Sequence, residues 1–78
     1  MPKVTIVIAR GEVVRDLRER KGLSRTQLGN LIDRSHESIR RVELGRPVGR
    51  VLVCQVANVF KVDADELIVP DDETEVAA

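Results

Sequence analysis

The sequence predicts a mainly α fold: a bundle of five helices preceded by a short N-terminal β-strand. Three observations predict it. Apolar residues recur at helical spacing, as in Leu28, Leu31 and Ile32 or Leu52, Val53 and Val56. Helix-capping residues open these stretches (Ser24, Ser35, Asp63), and Gly22, Gly45 and Pro70 close them. Only Lys3 to Ala9, KVTIVIA, is β-branched and apolar nearly throughout, and it is too short for a helix with a polar face. At 78 residues the chain makes one domain with a small core. It divides into an N-terminal strand at 1–9, a helical domain at 10–69 and an acidic tail at 70–78.

The strand comes first. Val4, Ile6 and Ile8 alternate with Thr5, Val7 and Ala9, so both faces are mostly apolar and call for cover. An unpaired strand of this kind invites aggregation, so it must pair. One candidate is the run Leu67-Ile68-Val69, and another is the same strand of a second subunit. A small sheet at a dimer interface combines the two.

Gly11 to Lys21 reads as the first helix, with Val13, Val14 and Leu17 as its apolar stripe. Glu12 and Asp16 near its start, and Arg18, Arg20 and Lys21 near its end, complement the helix dipole. Gly22 is its natural stop. Ser24 caps the second helix, Gln27 stands at the capping-box position, and Leu23 and Leu28 have staple spacing. Leu28, Leu31 and Ile32 form its inner face.

Asp33-Arg34 makes a sharp turn, and Asp tolerates the left-handed backbone such a turn requires. Gly29 lets the next helix approach closely. That helix, of about two turns, starts at Ser35 and points Ile39 and Val42 inward. His36, Glu37, Ser38, Arg40 and Arg41 then point outward. Two helices joined by a short turn, the second with an exposed polar face, is the helix-turn-helix plan for entering a DNA major groove. Arg46 to Arg50 reads as a Pro-Gly turn, and Val51 to Phe60 as a fourth helix burying Leu52, Val53, Val56, Val59 and Phe60. Asp63 caps a short fifth helix to Leu67 or Ile68, with Glu66 at its capping-box position. The tail DDETEVAA is acidic, short and expected to be disordered.

The segment Ser24 to Gly45 resembles the helix-turn-helix of the phage repressor and Cro family, the Xre-type regulators. Leu23-Ser24, Leu28-Gly29 (Leu-Ala in the family), Ser35, Ile39, Val42, Glu43 and Gly45 fall in register. The register continues without gaps through Phe60-Lys61-Val62 and Asp65-Glu66-Leu67, covering roughly Gly11 to Ile68. Two residues depart from the pattern: Asp33 replaces the usual turn Gly, and Arg34 replaces an apolar residue under the turn. The resemblance implies a five-helix lambda-repressor-like bundle that binds double-stranded DNA as a small transcriptional regulator, most often a repressor. It also implies an ion pair between Arg18 and Glu43, tying the first helix to the third.

Composition sets bounds on other classes. Apolar residues make up 42% of the chain, which excludes a disordered one. Lone Cys54 cannot form an internal disulfide and fits a reducing cytoplasm, where it fills a small buried space. No apolar run reaches the length of a membrane span, and no signal peptide is read, so the expected location is cytoplasmic. The net charge of zero hides an asymmetry. Arg10 to Arg50 holds 11 Lys/Arg against 6 Asp/Glu; Val51 onward holds one Lys against 7 acids. One basic side suits a protein that meets phosphate. Catalysis is a poor fit: His36 is the only histidine, Cys54 is far in sequence from any base, and no zinc set or Gly-rich phosphate loop occurs. No cofactor or metal is expected.

The expected DNA contacts divide by role. Arg25 and Thr26, opening the second helix, are assigned to phosphate, with Ser38 and with Arg46 and Arg50 of the later loop. Base reading falls to His36, Glu37, Arg40 and Arg41; by resemblance His36 and Glu37 hold the two main base-contacting positions. Glu accepts from cytosine N4 and Arg donates to guanine, which points to a G·C-containing half-site. One recognition helix covers few base pairs, so a homodimer on a palindromic operator is expected, with half-sites about 34 Å apart. A second reading is an antitoxin-like or adaptor module that uses the same fold to hold a protein partner through its acidic tail.

Overall fold

Why the first strand is stable is visible in its pairing. The computed structural model describes residues 3–70 and 74–77. In it β1 (Lys3–Ile8) is the centre of an antiparallel sheet, with β2 (Pro47–Gly49) on one side and β3 (Thr74–Ala77) on the other. Val7 stands opposite Val48, and Val4 opposite Val76. Both edges of β1 are therefore filled within one chain. Beyond β1, Ala9 bridges Ile68, the Val69 N–H donates to the Ile8 carbonyl at 2.8 Å, and the Arg10 N–H donates to the Leu67 carbonyl at 2.7 Å. The Leu67–Val69 run thus extends the pairing past the end of the strand.

Two sequence expectations change here. Pro47–Gly49, read as part of a turn, is a strand, because β1 offers it a ladder and Val48 a buried place. Thr74–Ala77, read as disordered tail, is β3, because the other edge of β1 offers the same ladder. The acidic residues 71–73, with position 78, lie outside the described residues.

Between β1 and β2 come α1 (Gly11–Arg20), α2 (Arg25–Leu31) and α3 (His36–Glu43). After β2 comes α4 (Arg50–Phe60), then a single 3-10 turn at Ala64–Leu67. The described residues hold four α-helices, so the fifth helix is corrected to that one turn. Asp63 makes no side-chain cap, and the Glu66 N–H reaches the Asp63 carbonyl at 3.0 Å, an i to i+3 bond. The chain must be extended again by Ile68 to bridge Ala9, which leaves no room for a second turn.

Local chemistry sets the other helix limits. Ser24 accepts from the Gln27 N–H at 3.0 Å while Gln27 accepts from the Ser24 N–H at 2.8 Å, a closed capping box. Ser35 accepts from the Ser38 N–H at 3.2 Å. The α2–α3 turn is a Schellman motif: the Arg34 N–H donates to the Gly29 carbonyl at 2.8 Å and the Asp33 N–H to Asn30 at 3.4 Å. Asp33 takes the left-handed position at φ 57°. Arg34, found where an apolar residue is usual, is exposed and donates to Gln55 Oε1 of α4 at 3.0 Å.

The inner face of the sheet and the four helices share one core, centred on Val7, Val14, Leu28, Ile39, Val53 and Val56, all fully buried. Two expected core positions fall outside it. Leu31 is 61% exposed, because Leu28 and Ile32, four apart, already define the inner face of α2. Val13 is 38% exposed, because Gly11 and Val14 face α3 and the core instead. Gly11 has a packing reason: any Cβ there would collide with the backbone of Glu43, so α1 begins directly on the end of α3.

Candidate nucleic-acid interface

The helix α3 presents the polar side chains and the rest of the molecule aims them. Ile39 and Val42 are fully buried, which fixes the roll of α3. His36, Glu37, Arg40 and Arg41 are left on the exposed side, and Ser38 is half-buried. Arg40 Nη1 donates to Glu37 Oε1 at 3.0 Å, an i,i+3 pair with both side chains about half exposed. Arg41 leans the other way, with Nη2 at 3.4 Å from the Pro47 carbonyl of β2. The hydroxyl of Ser38 lies 3.2 Å from that of Ser35, so both belong to the helix cap.

The C-terminal end of α3 is held by charge. Glu43, its side chain only 2% exposed, accepts from Arg18 Nε at 2.6 Å and from Arg18 Nη2 at 3.2 Å. Its Oε1 also accepts from Arg25 Nε at 3.1 Å. Arg18 donates further to the Leu23 carbonyl at 2.8 Å. One carboxylate thus ties α1, α2 and α3 together. The hydrogen bond and charge of Glu43 raise the Arg18 pKa above its ordinary value, against the opposing effect of burial.

The expected phosphate residues have distinct surroundings. Arg25 is half-buried, and its Nε donates to Glu43. Thr26 and Arg46 are exposed. The Arg46 N–H donates to the Arg41 carbonyl at 3.0 Å, which sets Arg46 beside the end of α3. Arg50, first residue of α4, donates to Asp65 Oδ1 at 2.9 Å. Arg25, through Glu43, and Arg46, through its backbone bond to Arg41, therefore adjoin the C-terminal end of α3, while His36, Glu37 and Arg40 lie along it.

Sequence reading had no sign of three of these links: Arg25 to Glu43, Arg34 to Gln55 and Arg41 to Pro47. Each joins residues at least six apart through a long side chain. Periodicity carries no information on such pairs. Cys54, expected to be buried, is only half-buried, and it lines a shallow cleft with Val4 and Val51. Among the described residues no group of three or more His, Cys, Asp or Glu could hold a metal ion, and no helix is long and apolar enough to cross a membrane.

A capped helix, a tight left-handed turn and a second helix with an exposed basic face make this a helix-turn-helix module. The family model described as Helix-turn-helix domain matches residues 11–67, and the chain belongs to that family. It is a DNA-binding family, so DNA is the partner it assigns. Comparisons with curated proteins and with solved structures gave no match.

Proposed function

We propose that this chain is a small transcriptional regulator of the Xre type, most simply a repressor, that binds double-stranded DNA in a sequence-specific way. The observation that carries the reading is the exposed His36, Glu37 and Arg40 on a helix whose other face is locked by Ile39 and Val42. A helix with this division suits the major groove, about 12 Å wide. His36, Glu37, Arg40 and Arg41 read base edges. Arg25, Thr26 and Arg46 grip phosphate. Ser38 and Arg50 belong to the same set but contribute less, since a cap hydroxyl and Asp65 already engage them. A palindromic operator and a homodimer complete the reading, because a recognition helix of 8 residues spans only part of a site.

Selection of bound duplexes from a random pool tests this. The expected product is a symmetric site with two half-sites about one helical turn apart. Recovery of no preferred sequence would overturn it. Within the selection, Arg41→Ala should relax one position, whereas Arg25→Ala should weaken all duplexes alike.

A further inference from the structure

Resting on that DNA reading, we propose that Glu37 and Arg40 act as one recognition unit, and that the unit reads both strands of a single G·C base pair. The pair is preformed: Arg40 Nη1 lies 3.0 Å from Glu37 Oε1, and both groups remain about half exposed on the reading face. Its edge therefore presents guanidinium donors followed at once by carboxylate acceptors. The major-groove edge of a G·C pair offers N7 and O6 of guanine as acceptors, then N4 of cytosine as donor. An A·T pair offers acceptor, donor, acceptor and then a methyl group. Two donors beside an acceptor thus complement G·C and no other pair in the same orientation.

Hydrogen-bond capacity allows it. Arg40 spends one N–H of Nη1 on Glu37 and keeps four others, enough for a bidentate contact to guanine. Glu37 Oε2 is a full acceptor for cytosine N4. The pairing also rejects alternatives. A carboxylate held opposite thymine O4 or guanine O6 meets another acceptor and is repelled, and so supplies specificity by exclusion. The ion pair, moreover, favours this arrangement of the Arg40 side chain before DNA arrives, so less rotamer freedom is lost on binding.

The test is duplex selection with wild type, Glu37→Gln, Arg40→Ala and the double variant. Gln keeps the size of Glu but removes its charge. Both single variants are expected to lose preference at the same G·C pair, by roughly 10-fold each, and the double variant to be no worse than Arg40→Ala. Retained preference at the remaining positions shows that each variant is folded and bound. Relaxation at two different positions, relaxation by only one variant, or additive losses would overturn the unit while leaving the DNA reading in place. A wild type that selects nothing would overturn both, and is told apart because no position is then preferred.

Discussion

Glu43 shows how much one residue can organise. Its carboxylate is nearly solvent-free and is satisfied by two arginines from two other helices. A buried carboxylate without partners costs several kcal/mol, so the arrangement is sensitive to loss of a partner. Arg18→Ala should destabilise the fold by about 3 kcal/mol, because Arg18 is itself largely buried and makes two of the contacts. Arg25→Ala should cost only about 1 kcal/mol, since its side chain is 36% exposed. Urea denaturation measures both, and equal losses would show that the carboxylate does not distinguish its partners. The raised Arg18 pKa adds stability that is full below the ordinary Arg range and is lost only as the pH rises beyond it. Arg18 therefore contributes no pH dependence below about pH 9. Asp33 is the opposite case: its left-handed backbone costs free energy that glycine does not incur. Asp33→Gly should raise the unfolding free energy by about 0.5–1 kcal/mol with α3 unmoved. A loss of stability would mean that the Asp side chain contributes something the backbone geometry does not reveal.

At the scale of elements, the four α-helices were legible in the sequence, whereas the predicted fifth helix and most of the sheet were not. Ser24, Gln27, Ser35, Gly22 and Gly45 act through bonds within a few residues of themselves, so local pattern reveals them. The strand β1 was also legible, because β-branched residues dominate it. The Leu67–Val69 run that extends its pairing was legible too, but its two ladder partners were hidden, since Pro47–Gly49 is three residues long with the composition of a turn and Thr74–Ala77 lies in an acidic tail. Only the ladder offered by β1, some 40 positions earlier in the chain, makes Pro47–Gly49 a strand. The candidate interface divides the same way. Which side of α3 faces outward followed from Ile39 and Val42, whereas Arg25 bound to Glu43 needed the tertiary fold. Alternation along β1 gives a check. Val7 is fully buried, and Val4 is 38% exposed. Val7→Thr places a hydroxyl in the core and should cost about 1–2 kcal/mol, while Val4→Thr should change little. Equal urea midpoints for the two variants would mean that the strand does not sit with this face inward.

For the whole molecule, the sequence separates into a basic part and an acidic part, and the fold gathers much of the basic part around α3. Arg25 reaches its C-terminal end through Glu43, and Arg46 follows that end in the chain, where the helix dipole also favours cations. Arg50 stands apart in one respect, because Asp65 of the acidic part already pairs with it. That difference gives the proposed assembly a quantitative signature. Each neutralised phosphate contributes about −0.9 to the slope of log affinity against log salt. If Arg25 and Arg46 each meet one phosphate and Arg50 meets one only in part, one copy gives a slope of about −2 to −3 and a dimer one of about −4 to −5. Fluorescence anisotropy across a salt series with the selected duplex should therefore return about −4 to −5. Arg46→Ala should lower its magnitude by about two, one contact per copy, whereas Arg50→Ala should lower it by less. In the Arg50 variant the wild-type contact would have required opening the bond to Asp65, so part of its gain was already offset. A slope near −3 with tight binding would mean that one copy suffices, and the palindrome would then have to be abandoned. Equal effects of the two substitutions would mean that the Asp65 pair does not persist beside phosphate, and that Arg50 grips the backbone as fully as Arg46 does.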